Sequence, residues 1–391
     1  MNTRLKKLLL LTFLLVNQMA SAQINVQPSD LPNELPDWAL GGFVRIEDAN
    51  PVLSPKADTE FKCPMRGKIV RWEESDVFNP ASVTYNGKIV VLYRAEDNSG
   101  LGIAKRTSRI GLAYSKDGVK MHRMNKPVLY PANDEMKEYE WEGGCEDPRV
   151  VKVKDGTYLM TYTSWNRKTF RLCIASSMDL RHWTKHGPVF AKCYGGRFKD
   201  MSCKSASMVT KVVNGEQVLT KLNGKYFMFW GERHVHAATS DNMIDWTPVL
   251  DSKGNLTVIA QPRKGYFDSG LTECGPPALW TNKGIVLLYN GKNRSGVNGD
   301  QRLASGTYSA GQLLVDSLNP MKVIQRLDVP FFRPMMGFER KGQYSSGTVF
   351  LEGLTYFRNK WYLYYGCADS RVGVAVYNPN NKKGEAHKIP K

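Results

Sequence analysis

Carboxylate, amide and guanidinium side chains recur beside the strand-like apolar runs of this 391-residue sequence. They stand where apolar runs open or end, at Asn79, Arg94, Glu96, Glu146, Asp147, Glu232, Glu273, Asn290 and Asp369. Burying several acids close together costs free energy unless pairing or function requires it. Singly, each is explained more simply as a turn residue or a surface salt bridge. Their repetition at equivalent positions indicates one shared site, and carboxyl groups that face each other are suited to general acid–base catalysis.

A strand–turn–strand pattern occurs five times along the chain. Each copy has an apolar stretch, a turn and a strand rich in aromatic and branched residues, and the copies are 81–93, 150–162, 219–230, 278–289 and 353–365. The turns are marked by Gly87, Gly156, Gly224, Gly284 and Asn359. In several copies a second hairpin half follows, at 110–117, 172–179 and 235–242. Asn-Gly and Asp-Gly pairs between apolar runs are typical of β-hairpins.

About four strands per unit, at a period of roughly 60 to 75 residues, are typical of a β-propeller. Helical periodicity is absent after the first residues, which argues against Rossmann and barrel folds. A two-sheet sandwich does not explain a fivefold repeat. The sequence therefore predicts an all-β, five-bladed β-propeller as a single catalytic domain over residues 23–391. The segment from 23 to about 75, which is rich in proline and charged residues, is expected to wrap the ring and complete the last blade.

The first 22 residues have the order of a secretory signal peptide. Basic residues (Arg4, Lys6, Lys7) precede an apolar run, and Ala20-Ser21-Ala22 is a small-residue cleavage site. The alternative, a membrane anchor, is disfavoured because a bilayer-spanning helix needs about 20 apolar residues. We expect an exported, periplasmic protein that begins near Gln23 and does not insert into the membrane.

Charge and cysteines exclude some other classes. The net charge is +17, and it falls to +14 when the three basic residues of the predicted signal peptide leave. Lys and Arg are scattered and form no basic run, so no nucleic-acid partner is expected. The seven cysteines lack the spacing of a zinc or redox site, and an odd number leaves at least one unpaired. We interpret Cys145, Cys274 and Cys367 as buried fillers.

The ordered motifs resemble a known family. They are Tyr93-Arg94-Ala95-Glu96, Glu146-Asp147-Pro148-Arg149, Trp230-Gly231-Glu232, Gly275-Pro276-Pro277, Tyr289-Asn290-Gly291 and Tyr364-Tyr365-Gly366-Cys367-Ala368-Asp369. Together, from about Asn79 to Asp369, they resemble glycoside hydrolase family 130. The resemblance implies a five-bladed propeller that acts on a mannose-containing oligosaccharide with inversion at the anomeric carbon, as a β-mannosidase or a β-mannoside phosphorylase.

The resemblance also implies roles for individual residues. Asp147 is expected to be the general acid, with its proton passing through a mannose hydroxyl. The mannose unit before the scissile bond is expected to be held by Asn79, Arg94, Arg109 and Asp369. No metal and no cofactor are implied. Two histidine pairs (His182 with His186, His234 with His236) lack an evident third metal ligand.

Two departures from the family pattern bear on the reaction. Phosphorylases of the family commonly have Tyr-His-Gly where this chain has Tyr289-Asn290-Gly291, and a small residue where it has Glu273. A carboxylate about 4 Å from a phosphate charge repels it by roughly 4 kcal/mol at an effective dielectric near 20. The same carboxylate activates water in a hydrolase. Glu232 and Glu273, alone or together, are therefore candidates for the base.

This pattern resembles the exported β-1,2-mannosidases of the family and predicts an inverting, exo-acting β-mannosidase. The alternatives are a phosphorylase, another five-bladed glycosidase such as an arabinan-degrading enzyme, and a non-catalytic sugar-binding propeller. Trp141 and Trp165 are candidates for stacking on sugar rings, whereas Trp230 and Trp280 fit a core position at least as well. The oligomeric state and the length of the substrate stay open.

Overall fold

Strands dominate residues 35–380, the part of the chain that the computed structural model describes. The predicted signal peptide, residues 1–22, lies outside this part. Helical structure within residues 35–380 is confined to one α-helix, α1 (Lys137–Glu140), and to 3-10 turns at Glu47–Ala49, Cys193–Gly196, Gly296–Asn298 and Gly337–Arg340. Within residues 35–380 no helix is long and apolar enough to cross a membrane.

The strands fall into a short N-terminal group and five successive antiparallel sheets. The N-terminal group is β1 (Val44–Arg45), β2 (Glu60–Cys63) and β3 (Lys68–Arg71). Sheet one is β4 (Asp76–Tyr85), β5 (Lys88–Glu96), β6 (Ser108–Ser115) and β7 (His122–Arg123). Sheet two is β8 (Gly144–Lys152), β9 (Tyr158–Trp165), β10 (Phe170–Ser177) and β11 (Thr184–Pro188).

The remaining sheets are less regular. Sheet three is β12 (Ala206–Val213), β13 (Glu216–Leu219), β14 (Lys221–Leu222), β15 (Lys225–Trp230), β16 (His236–Ser240) and β17 (Thr247–Pro248). Sheet four is β18 (Leu271–Cys274), β19 (Ala278–Trp280), β20 (Ile285–Lys292), β21 (Tyr308–Val315) and β22 (Val323–Arg326). Sheet five is β23 (Val349–Phe357), β24 (Lys360–Cys367) and β25 (Arg371–Tyr377).

Neighbouring sheets contact each other through their inner strands. The β12 strand pairs in parallel with β19, and Asn290 exchanges two hydrogen bonds with the backbone of Leu351 on β23. The fifth sheet returns to the first, because Thr355 donates a hydrogen bond to Ser82 on β4 (2.6 Å). The predicted five-bladed β-propeller is therefore confirmed, and the sheets are called blades one to five below.

The N-terminal segment supplies the outer strand of blade five. Val44 and Arg45 on β1 pair antiparallel with Val376 and Ala375 on β25. The segment was expected to complete the last blade, and this pairing confirms it. Further along, Phe61 and Trp72 pack into the apolar cluster that blades five and one share.

The hairpin turns follow from local chemistry. All five predicted turn residues have positive φ, from 60° at Asn359 to 139° at Gly284. In blade one both Asn86 and Gly87 are left-handed (φ 46° and 70°), as a two-residue type I′ hairpin requires.

The predicted third repeat, 219–230, begins too late. The inner strand of blade three is β12, which pairs with β13 over Thr210–Val213 and with β15 over Ala206–Met208. A second tight turn at Asn214-Gly215 (φ 51° and 80°) folds the chain back inside the blade. This extra hairpin has the same Asn-Gly signal as the others. The predicted repeat was therefore assigned to the strands after this turn, and the inner strand β12 was left out.

Apolar side chains fill the spaces between the blades. Trp230 is buried against Phe190, with ring centroids 4.8 Å apart. It is therefore a core residue, and the interpretation of Trp230 as part of the core holds over sugar stacking. All seven cysteines are free and six are buried. The interpretation of Cys145, Cys274 and Cys367 as buried fillers is confirmed, since each is 0% exposed.

The Asn290 contact generates a stability prediction. Replacing Asn290 with Ala leaves the N–H and C=O of Leu351 without their partners in a fully buried place. Stranding a buried polar group costs about 1–3 kcal/mol, so we expect the free energy of unfolding to fall by about 2–4 kcal/mol in urea denaturation. The matched control, Asn282→Ala at an exposed turn position, should change it by less than about 0.5 kcal/mol. Equal effects of the two variants would contradict this role.

Candidate active site

The inner strands open at one end into a cavity of about 260 Å³. Six of the seven predicted site residues line it, namely Asn79, Arg94, Asp147, Glu232, Glu273 and Asp369. Two wider surface grooves lie elsewhere, one beside Trp183 and the other beside Trp141. Neither of these has acids from several blades, so the central cavity is the candidate site.

Backbone irregularities aim the inner-strand residues into the cavity. Asn79 and Asp147 have left-handed φ values of 46° and 49°, and each sits at a break in the strand register, on β4 and β8 respectively. A proline follows each, and proline is tolerated where a bulge removes a ladder hydrogen bond. Asp369, just after β24, is also left-handed (φ 50°). Strained residues of this kind persist only where the surrounding structure fixes them, and they cluster at functional sites.

Asp147 is held by two side chains from blade one. Asn79 Nδ2 donates to its Oδ1 at 2.9 Å, and Arg94 Nη1 lies 3.1 Å from the same oxygen. Burial raises the pKa of Asp147, but Arg94 and Lys204 outweigh it and bring this pKa down to about 2. In the free site Asp147 is therefore an ionised carboxylate. A group that displaced Arg94 from this carboxylate would restore its affinity for a proton.

Arg94 is shared among several acids. Besides Asp147, its Nη2 contacts Glu96 at 2.7 Å and Glu146 at 2.9 Å. Burial raises the pKa of Glu146 to about 7, with Arg94 opposing. Burial likewise raises the pKa of Asp369 to about 7, against the attraction of Arg94. Near neutral pH this side of the cavity therefore keeps a proton on Asp369 or Glu146, while Asp147 is charged.

Lys204 organises the other side of the cavity, and the sequence analysis missed it. Its Nζ lies 3.2 Å from Glu232 and 3.4 Å from Glu273. Ser205 Oγ donates a hydrogen bond to Glu273 at 2.5 Å. Lys204 and Ser205 open the inner strand of blade three, the blade whose register was predicted too late. Aligning that strand with the openings at Asn79 and Asp147 would have found Lys204.

The two glutamates differ in burial. The Glu273 side chain is 2% exposed and the Glu232 side chain 40% exposed. Burial raises the pKa of Glu273, with Lys204 opposing and Glu232 raising it further. The prediction that both glutamates face the same space as Asp147 is confirmed by the cavity lining.

Arg109 does not line the cavity. Its guanidinium is fully buried and pairs with Asp97 at 3.0 Å. The neighbouring Ser108 bonds to Arg94 and Glu146, and successive side chains of a strand point to opposite faces. Arg109 therefore faces away from the cavity, and the structure does not support its predicted place against the mannose.

Asn290 does not line the cavity either. It stands where the family's phosphorylases commonly have a histidine, but both polar atoms of its side chain bond to the backbone of Leu351. In this chain Asn290 joins blades four and five.

Aromatic side chains complete the wall. Trp165 lines the cavity, as expected of a sugar-stacking residue, and its Nε1 donates to the backbone of Ala104 at 3.3 Å. Trp141 lies in a separate surface groove. Other aromatic residues of the lining were not predicted, namely Phe78, Phe170, Tyr308, Tyr344 and Phe350.

The raised pKa of Asp369 generates a prediction about stability and pH. Between pH 4 and about 7 folded Asp369 keeps a proton that the unfolded chain has lost, so this residue makes stability fall as pH rises through that window. Asp369→Asn keeps the shape, and Asn tolerates the left-handed backbone. We expect this variant to gain a few degrees in Tm over wild type at pH 8, and almost nothing at pH 4, in thermal denaturation. The exposed control Asp58→Asn should show no such trend, and an Asp369→Asn gain that is largest at pH 4 would contradict the assignment.

Comparison with known proteins agrees with this geometry. The family model described as β-1,4-mannooligosaccharide phosphorylase, glycoside hydrolase family 130, matches residues 45–381. A 1,2-β-oligomannan phosphorylase from Thermoanaerobacter sp. strain X514 is 33% identical over 85% of this chain and 96% of its own length.

Solved structures are also similar. A structure from work on family 130 glycoside hydrolases that target β-1,2 mannosidic linkages in Candida mannan is 58% identical, covers 92% of this chain and 99% of its own, and has a TM-score of 0.88. A glycosyl hydrolase from Bacteroides ovatus is 60% identical over 89% of this chain and 97% of its own, also with a TM-score of 0.88. The match over most of the chain, together with the fold and the conjunction of cavity residues, shows that this chain belongs to glycoside hydrolase family 130, whose members process mannosides.

Proposed function

We propose that this protein is an inverting β-mannosidase that hydrolyses β-1,2-linked mannosides and releases the terminal mannose. The observation that carries the proposal is the position of Glu273, a second buried carboxyl group in the same cavity as Asp147. An inverting glycosidase needs two such groups, one to protonate the leaving group and one to activate water.

Asp147 is the proposed general acid. It is charged in the free site, but protons are held next to it on Asp369 or Glu146. Binding a sugar excludes water and changes the contacts of Arg94, which raises the proton affinity of a carboxylate that this cation had held ionised. The acid then delivers its proton through a hydroxyl of the bound mannose, as the family resemblance implies.

Glu273 is the proposed base, and Glu232 assists it. A general base works best when its pKa lies near the operating pH, and burial moves the pKa of Glu273 in that direction. Ser205 and Lys204 hold one oxygen of Glu273, which leaves the other oxygen for a water molecule. Glu232 is more exposed and neutralises the remaining charge of Lys204.

The charges of the cavity favour water over phosphate as the acceptor. Lys204 is the cation on the base side of the described lining, and two glutamates already pair with it. A phosphate dianion placed there would meet both carboxylates, at roughly 4 kcal/mol per charge pair at 4 Å. The second candidate is a β-mannoside phosphorylase, which the 33% identity to a 1,2-β-oligomannan phosphorylase favours.

The linkage and the exo mode have separate support. The similar phosphorylase and the similar hydrolase structure are both described with β-1,2 linkages. A cavity of about 260 Å³ is below the usual range of about 300–1,000 Å³ for ligand sites, which suits one terminal sugar. A non-catalytic sugar-binding protein has no need to gather five carboxyl groups in such a space.

The direct test uses purified protein and β-1,2-mannobiose in phosphate-free buffer. We expect release of mannose at a rate that added phosphate does not increase, measured by anion-exchange chromatography. A β-1,4-mannobiose control should be cleaved more slowly. Mannose 1-phosphate as the product, formed only when phosphate is added, would establish the phosphorylase instead.

Substitution of the carboxyls tests their roles. General acid–base groups contribute about 10²- to 10⁴-fold to rate, so Asp147→Asn and Glu273→Gln should each lower kcat by that much, and Glu232→Gln by less. The exposed control Glu216→Gln should leave kcat unchanged. Activity of Asp147→Asn within a few-fold of wild type would remove this residue from the mechanism, and a larger loss for Glu232→Gln than for Glu273→Gln would exchange the roles of the glutamates.

A further inference from the structure

The last residue of the Glu-Asp-Pro-Arg motif has no role in the account so far. Arg149 lies on β8, two residues after Asp147, and is 2% exposed. It does not line the cavity. Burying a guanidinium costs free energy unless its charge and its N–H donors have partners. The partners of Arg149 therefore indicate its role.

Three nitrogens of Arg149 donate to backbone carbonyls on two blades. Nη1 donates to Asp147 O at 3.0 Å, Nη2 to Cys274 O at 2.9 Å and Nε to Gly275 O at 3.2 Å. Asp147 belongs to blade two, and Cys274 directly follows Glu273 in blade four. One guanidinium therefore ties the backbone that carries the proposed acid to the backbone that carries the proposed base.

A buried acid from a third blade pairs with this guanidinium. Glu352 on β23 is 0% exposed, and its Oε1 lies 3.1 Å from Arg149 Nη1. It sits at a break in the β23–β24 register, between Leu351 and Gly353. Neither carboxyl oxygen has a hydrogen-bond donor among the described residues. Burial raises the pKa of Glu352 well above its usual range, and the guanidinium of Arg149 opposes that rise. Arg149 is therefore the cation beside which this buried carboxyl group is held.

We propose that Arg149 and Glu352 are positioning residues for glycoside cleavage: Arg149 fixes the separation of Asp147 and Glu273 across the cavity, and Glu352 holds Arg149 in place. The proposal rests on the roles proposed above for those two carboxyls. Inverting enzymes keep acid and base roughly 6.5–9.5 Å apart, and a displacement of about 1 Å can cost about 10²-fold in rate. A single contact across the axis of the propeller sets such a distance more directly than the packing of the blades does.

The forked shape of arginine is essential to this role. A lysine ammonium is a point charge on a flexible stem and does not reproduce three donors fixed in one plane. The side chains that bond to Asp147 in the cavity, Asn79 and Arg94, belong to blade one. The hydrogen bonds and the ion pair of Arg149 go to other residues. We call the three hydrogen bonds of Arg149 to the backbone of blades two and four the Arg149 clamp. Loss of this clamp should slow the chemical step without weakening substrate binding.

The experiment compares Arg149→Lys and Glu352→Gln with an arginine–glutamate pair outside the cavity whose acid is equally buried. In that pair Arg123 Nη1 lies 3.0 Å from Glu73, whose side chain is 0% exposed. We expect kcat of Arg149→Lys on β-1,2-mannobiose to fall about 10²-fold, with KM within about three-fold of wild type. Arg123→Lys and Glu73→Gln should lower Tm by a similar amount and leave kcat unchanged.

Glu352 provides a graded second test that keeps the fold. Glu352→Gln keeps a polar oxygen beside Arg149, whereas Glu352→Leu does not, so kcat should fall in the order wild type, Gln variant, Leu variant, with KM constant. The proposal is overturned if the Arg149 and Glu352 variants lose only Tm, like the control pair, or if KM rises while kcat holds. Should the wild type cleave only when phosphate is present, the hydrolase proposal fails, but the same kcat and KM comparison made with phosphate still decides the positioning role.

Discussion

The constraint on which this structure depends is electrostatic. Among the described residues, five carboxyl groups and two cations line one cavity, and the cations are Arg94 and Lys204. Such an excess of acid is unfavourable in a confined space unless some groups keep their protons. The raised pKa values of Asp369, Glu146 and Glu273 are the consequence. Arg94 selects Asp147 to be the charged group on one side, and Lys204 balances two glutamates on the other.

The propeller makes this crowding possible because each blade contributes one or two groups from a rigid inner edge. Left-handed residues at breaks in the inner strands turn Asn79 and Asp147 toward the axis. Contacts between blades then hold the edges together, as Asn290 does between blades four and five and Arg149 between blades two and four. The stability of the packed blades offsets the free energy that these strained and charged positions cost.

Much of this was predictable from the sequence, and the failures have physical causes. Asn-Gly turns and fivefold repetition predicted the blades, because hairpin chemistry is local. The convergence of Asp147, Glu232 and Glu273 followed from their equivalent blade positions. Arg109 was predicted on the cavity face of its strand. A motif can identify the strand, but neighbouring side chains of a strand point to opposite faces, so an error of one residue selects the wrong face. Lys204 was missed because the additional Asn214-Gly215 hairpin hid the inner strand of blade three, and the Arg149 clamp depends on contacts between residues more than 120 positions apart.

The central claim is that the carboxyls of this cavity direct a water molecule onto the anomeric carbon from the side opposite the leaving group. Two readouts of the first product test it most directly: proton NMR recorded before mutarotation, and mass spectrometry of the sugar formed in water enriched in ¹⁸O. The account predicts that the released sugar is initially α-mannose and that its anomeric oxygen carries the label from water. Initial release of β-mannose, or a sugar phosphate in which no label from water appears at the anomeric carbon, would contradict it.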